Sequence, residues 1–213
     1  MGMYRKEKYN VLVVGVGGQG ILTLSRLLAE AALNNGYNVV VSEIHGLAQR
    51  GGSVAVHVRI ALNNAPLAPL IPRGGADIMI ALEGHEALRY LEYLSPQGVI
   101  ILNKRIIPPS VPNVRIYSID DVIGIINKLG IKHYDISAEE VALKLGKPYV
   151  TNVVILGFLA KIGILPIAKE NFIKAIRKVF SERVATDNIT AFEEGYKYSM
   201  GAHKASLTVM KAQ

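Results

Sequence analysis

Two clusters of residues have the types and spacing for chemistry, and both would handle anions. Gly15-Val16-Gly17-Gly18-Gln19-Gly20 fits G-x-G-x-x-G. It follows an apolar run and opens a helical pattern, the context in which such glycines make a tight turn and let backbone approach a phosphate. The free N–H groups of the helix start add a partial positive charge there. Glu43 follows Gly20 by 23 residues, where a carboxylate can grip a ribose. Packing alone is the competing reading, since such glycines also serve close helix–strand contact.

The second cluster is Glu43-Ile44-His45-Gly46-Leu47-Ala48-Gln49-Arg50-Gly51-Gly52-Ser53. It combines a carboxylate, an imidazole, an amide, a guanidinium and bare glycine amides after a second strand. Arg50 beside Gly51 and Gly52 can present a planar fork to phosphate or carboxylate. The alternative is a surface loop with Arg50 paired to Glu43. Gly15, Gly17, Gly18, Gln19, Gly20, Glu43, His45, Gln49, Arg50, Gly51, Gly52 and Ser53 are therefore the candidate binding residues. No catalytic set is expected: His45 and His57 lack metal-ligand spacing, and His85, His133 and His203 stand alone. His57 is expected on the polar face of its strand. Glu83 and Glu86 suit a helix start, where carboxylates favour the dipole.

The elements that position these residues follow an α/β rhythm. Asn10 to Val14 reads as a buried strand, Gln19 to Asn35 as a helix and Asn38 to Ser42 as a second strand, together a βαβ unit. Ser53 to Ala61 alternates apolar and polar residues, so it is expected to be antiparallel or at an edge. Pro66, Pro69 and Pro72 keep the next segment extended. Asp77 to Leu82, Gly98 to Leu102 and Val114 to Tyr117 read as strands. Helices are expected over Gly84 to Leu94, from Ser118 to near Gly130, and over Ala138 to Leu145. Beyond Thr151 the pattern is helical only: Asn152 to Ile162 is apolar all round, Phe172 to Phe180 is amphipathic, and Asp187 to Tyr198 forms a last helix. The expected architecture is one domain over 1–213. A Rossmann-like, mostly parallel sheet flanked by helices forms the core, about 9–150, and a helical C-terminal third covers about 151–200.

Composition narrows the function. The 213 residues are 50% hydrophobic and 19% charged, which suits a folded globular chain. There is no cysteine, which excludes disulfides, thiolate catalysis and cysteine-bound clusters in this chain. A net charge of +7 comes from scattered residues without an interleaved aromatic platform, so nucleic acid is not an expected partner. Gly15 interrupts the first apolar run too early for a secretory core, and no run approaches a membrane span. A cytoplasmic location without membrane contact is expected.

The wording of the two clusters resembles a known family. Val14 to Gly20 with Leu27-Leu28 and Ala31 resembles the gamma-type subunit of 2-oxoacid:ferredoxin oxidoreductases. His45 to Val54 with Val58-Arg59 is most similar to the small (beta) subunit of the indolepyruvate type. The similarity runs through Ala76-Asp77, Leu82-Glu83 and Gly98-Val99-Ile100, then Asn152 to Gly157, Asn188, Ala191-Phe192 and Gly195, roughly residues 9 to 198. The resemblance implies a part in oxidative decarboxylation of aryl pyruvates to acyl-CoA with reduction of ferredoxin. It also implies thiamine diphosphate and 4Fe-4S clusters. Without cysteine or any Gly-Asp-Gly sequence, this chain leaves both to a larger partner subunit. Coenzyme A is the ligand the resemblance suggests for the glycine turn and the Arg50 loop. Other readings are a gamma subunit of a pyruvate or branched-chain enzyme, and a stand-alone dinucleotide-binding oxidoreductase.

Overall fold

Val11, Leu12, Val13 and Val14 are each fully inaccessible, so both faces of the first strand are covered. That is why an unbroken β-branched run forms here, where an exposed strand would alternate. The computed structural model describes residues 6–45, 51–63, 65–108 and 116–199, with His45 described through its backbone. Its strands are β1 (Lys8–Val16), β2 (Asn38–His45), β3 (Ser53–Ala61), β4 (Ala76–Ala81), β5 (Leu94–Asn103) and β6 (Lys132–Ile136). They form one sheet in the order β2-β3-β1-β4-β5-β6. β1, β4, β5 and β6 pair in parallel, and β3 runs antiparallel to both neighbours.

The helices make a layer on each face. Alternate residues of β1, Val11 and Val13, pack in a core with α1 (Ile21–Asn34), α4 (Ala138–Lys144), α5 (Thr151–Ile162), α6 (Lys169–Val179) and α7 (Glu182–Lys197). Leu12 and Val14 point the other way, toward α2 (Gly84–Arg89) and α3 (Ile119–Lys128). α3 starts in a capping box, Ser118 and Asp121 each satisfying the other's backbone N–H. The C-terminal helices thus share one continuous core with the sheet. Among the described residues no helix is long and apolar enough to cross a membrane.

Three expectations change. The helix expected over Gly84 to Leu94 stops at Arg89, and Leu94 already opens β5. β3 is antiparallel, as its alternation suggests, and lies inside the sheet, between β2 and β1. His57 is therefore not on a polar face: it is 1% exposed, accepts a hydrogen bond at Nδ1 from the N–H of Ile71 (3.1 Å), and meets the Tyr93 ring edge-on. The proline-bearing segment after β3 folds over this face and buries it. The third change concerns the last strand. Val114 lies outside the described residues and Ile116 and Tyr117 are not in a strand, whereas Lys132–Ile136 supplies the sixth.

Burial first, then the nearby Arg59 charge, holds the His57 imidazole below the ordinary value of 6.5. The unfolded chain therefore takes up this proton first as pH falls. His57 contributes stability that is full above pH 6.5 and is lost as pH drops toward its folded value. The steepest slope one group can give is about 1.4 kcal/mol per pH unit. Denaturant unfolding between pH 7.5 and 5 should show His57→Gln lacking this component. Identical pH slopes for mutant and wild type would count against it.

Candidate functional site

β1 ends in a turn that is built from the inside. The Val16 N–H donates to Gln19 Oε1 at 2.8 Å, and Gln19 Nε2 donates to the Leu82 carbonyl at 3.0 Å, tying the ends of β1 and β4. Gln19 is thus structural as well as cavity-lining. A Cβ at Gly15 would meet Gln19 Oε1 at 2.7 Å, so this glycine serves packing. Gly18, at φ +104, faces open space, and Gly20 caps α1 in the left-handed region. A Cβ on Gly20 would strike Asn152 Nδ2 at 2.5 Å, the same atom that donates to the Gly20 carbonyl at 3.0 Å. Asn152 therefore links α5 to the turn, and only glycine fits beneath it.

α1 begins without a side-chain cap and without an acidic residue in its first turn. Its free N–H groups open on a cavity of about 460 Å³ at the carboxyl ends of β1, β4 and β5. Gly18, Gln19, Gly20, Arg105, Glu139 and Asn188 are among its walls, and the helical third closes it. Arg105 is exposed and has no ion-pair partner among the described residues. Asn103 is fully buried at the end of β5. Its Nδ2 donates to the Leu82 carbonyl (3.1 Å) and to both Glu139 oxygens (3.2 and 3.0 Å), while Oδ1 accepts from the Ala138 N–H (3.1 Å). One amide thus joins two strand ends to the start of α4 and orients the Glu139 carboxylate.

At the rim, the Tyr149 hydroxyl donates to Asp187 Oδ2 at 3.0 Å, and Lys147 pairs with the other oxygen. The Lys147 hydrogen bond, then that of Tyr149, holds the Asp187 carboxyl below the usual value. The same bond to Asp187 raises the Tyr149 phenol.

The second sequence cluster joins the turn only in part. The Gly17 N–H donates to the Gly52 carbonyl at 2.8 Å and the Gly51 N–H to the Gly17 carbonyl at 3.3 Å. Ser53 points elsewhere, donating to the Glu86 carboxylate beside the Tyr90 hydroxyl. Glu43 is exposed on β2, across β3 from β1, which is about 10 Å of sheet. It does not line the cavity. His45 pairs through its backbone with Val54, and Gln49 and Arg50 lie outside the described residues.

Arg105, Glu139, Asn103, Tyr149, Asn152 and Asn188 are the residues not singled out as binding candidates from sequence. A polar residue ending a buried strand, as in Ile101-Leu102-Asn103, is the signal that could have found Asn103. Glu83 caps α2 by accepting from the Glu86 N–H (2.9 Å), and also accepts from the Ile107 N–H (3.0 Å). His85 accepts from the Tyr117 N–H at Nε2 (3.0 Å), so its proton sits on Nδ1, facing Glu83. Both groups are spent on structure.

These features define a class: an α/β domain with a polar-walled cavity between its sheet and a helical third. The chain belongs to the pyruvate ferredoxin/flavodoxin oxidoreductase family, whose profile matches residues 10–198. It is 43% identical over 203 residues to the indolepyruvate oxidoreductase subunit IorB of Archaeoglobus fulgidus, covering 94% of this chain and 100% of that one. The pyruvate oxidoreductase subunit PORC of Thermotoga maritima superposes with a TM-score of 0.67 at 25% identity, covering 90% of this chain and 97% of that one. A third likeness is to the 2-oxoglutarate:ferredoxin oxidoreductase of Magnetococcus marinus, solved with 2-oxoglutarate, coenzyme A and succinyl-CoA. There the TM-score is 0.69 at 19% identity over 92% of this chain, but only 32% of that one. The same fold is one part of a longer chain.

Proposed function

We propose that this chain is the small subunit of an indolepyruvate-type 2-oxoacid:ferredoxin oxidoreductase. The observation that carries the reading is the 43% identity spanning the whole length of an indolepyruvate oxidoreductase subunit. The residues do not fit thiamine diphosphate or a 4Fe-4S cluster. The chain has no thiolate, and no group of three His, Cys, Asp or Glu among the described residues could hold a metal ion. Those groups belong to a larger partner subunit in this reading, and ferredoxin is reached through the complex. This chain contributes binding: α1 and Arg105 attract an anionic ligand, with coenzyme A as the candidate. The dinucleotide-oxidoreductase reading loses its ribose carboxylate, because β3 separates Glu43 from β1.

The test is ferredoxin reduction with indolepyruvate, phenylpyruvate, pyruvate and 2-oxoisovalerate. The chain alone should be colourless and inactive, and co-expression with the larger subunit should give activity highest with the aryl substrates. Activity from the chain alone would overturn the reading. Preference for pyruvate or 2-oxoisovalerate in the complex would instead favour another gamma-type subunit.

A further inference from the structure

The cavity attracts anions at one set of walls and offers acceptors at another. Anion attraction comes from the uncapped start of α1, the open Gly18 and Arg105, which no described carboxylate pairs. The acceptors are Glu139 and Asn188. Asn188 is only 4% exposed, yet it lines the cavity. Its Nδ2 donates to the Val184 carbonyl at 2.8 Å, which leaves Oδ1 without a partner among the described residues. An unpartnered amide oxygen in a residue that lines a cavity can accept from a donor on whatever fills it. Each Glu139 oxygen has one hydrogen bond, both from the single Asn103 amide, so lone pairs remain on both.

A carboxylate in an anion-receptive cavity repels a bare anion. It becomes favourable only if the ligand also brings hydrogen-bond donors. We infer that Glu139 and Asn188 are the specificity-determining residues of this cavity. They select, among the anions that α1 and Arg105 attract, a phosphate ester whose sugar hydroxyls or base amino group donate to them. The inference rests on the reading of this cavity as the ligand site. Tyr149 suits the same ligand: the residue is 66% exposed on the rim and tethered by its hydroxyl to Asp187, a position from which its ring can stack on a planar base.

ADP and pyrophosphate separate the two sets of walls, since both carry linked phosphates and only ADP carries sugar hydroxyls and a base amino group. Calorimetric titration of the full chain should give ADP the tighter binding by roughly 10-fold or more, the effect of one charge-assisted hydrogen bond. Glu139→Gln should weaken ADP by about the same factor and leave pyrophosphate unchanged or tighter, because the repelling charge is gone. Asn188→Leu should weaken ADP alone, and it keeps the test decisive if Glu139→Gln melts early. Arg105→Ala should weaken both ligands. Equal binding of the two probes by the wild type, or equal losses for both in Glu139→Gln and Asn188→Leu, would overturn the selection. If neither probe binds, the cavity reading falls with it, whereas the subunit assignment is decided separately by the ferredoxin assay.

Discussion

Gly157→Ala is expected to lower the melting temperature of this chain by roughly 4–8 °C, the equivalent of about 2 kcal/mol for a domain of this size. Two effects oppose each other at this position. Replacing a mid-helix glycine with alanine favours the helix by about 1 kcal/mol. Against that, a Cβ at Gly157 would lie 2.0 Å from the Phe192 carbonyl oxygen and 2.9 Å from the Tyr196 N. The contact is reciprocal, because a Cβ at Gly195 would lie 2.0 Å from the Val154 carbonyl oxygen. Backbone meets backbone on both sides of the α5–α7 crossing, so no side chain can turn aside. The helices must separate by about an ångström, loosening the packing of Phe158, Phe172 and Phe192. Overpacking of this kind costs about 1–3 kcal/mol and sometimes more, and here it outweighs the propensity gain.

Gly124 is the control. It also sits inside a helix, α3, but a Cβ there meets nothing within 4 Å. Gly124→Ala should therefore raise stability by about 0.5–1 kcal/mol. If both substitutions stabilise, α5 and α7 do not cross as closely as described.

What could be read from the chain depended on whether a signal was local. β1, α1, α5 and α6 carry their burial in their own spacing, and all four lie where that spacing puts them to within a few residues. β6 does not: Lys132-His133-Tyr134-Asp135-Ile136 is mostly polar, because an edge strand on one side of a sheet has little to bury. His57 departs from expectation for a related reason. Alternation reports the residue types of a strand, not whether a later segment such as 65–73 folds over its polar side. The glycine turn was legible as a turn, but its division of labour was not. Gly15 and Gly20 are needed for packing, whereas Gly18 opens on space, and only the neighbours contributed by Leu82, Asn152 and Gln19 distinguish them. The second wall of the cavity comes from Asn103, Arg105, Glu139 and Asn188. These come from β5 and the residues just after it, α4 and α7, with no common spacing, so only the fold brings them together.

Asn103 is where that convergence is most exposed to a single change. Asn103→Asp preserves shape and the acceptor for the Ala138 N–H, but it replaces the amide donor with an oxygen facing Glu139 at 3.0–3.2 Å and the Leu82 carbonyl at 3.1 Å. Asn103 is itself fully buried, so water reaches the clashing charges only from the Glu139 side of the cavity and relieves them in part. Leaving a buried charge uncompensated costs about 3–5 kcal/mol, and a loss of that order is expected in denaturant unfolding at neutral pH. The folded mutant can escape only by keeping one proton shared between the introduced carboxyl and Glu139, above the ordinary carboxylate range. The unfolded chain has released that proton, so the mutant should gain stability as pH falls from 8 toward 5. It loses that gain as pH rises through the pair's raised value. Adding Glu139→Gln removes the repulsion and supplies an amide donor to the introduced carboxylate. The double mutant should therefore recover part of the loss and most of the wild-type pH profile. Recovery is incomplete because the Leu82 carbonyl still faces an acceptor. An Asn103→Asp protein as stable as wild type at pH 8, or one that Glu139→Gln does not rescue, would show that the Asn103 amide does not hold these strand and helix ends together.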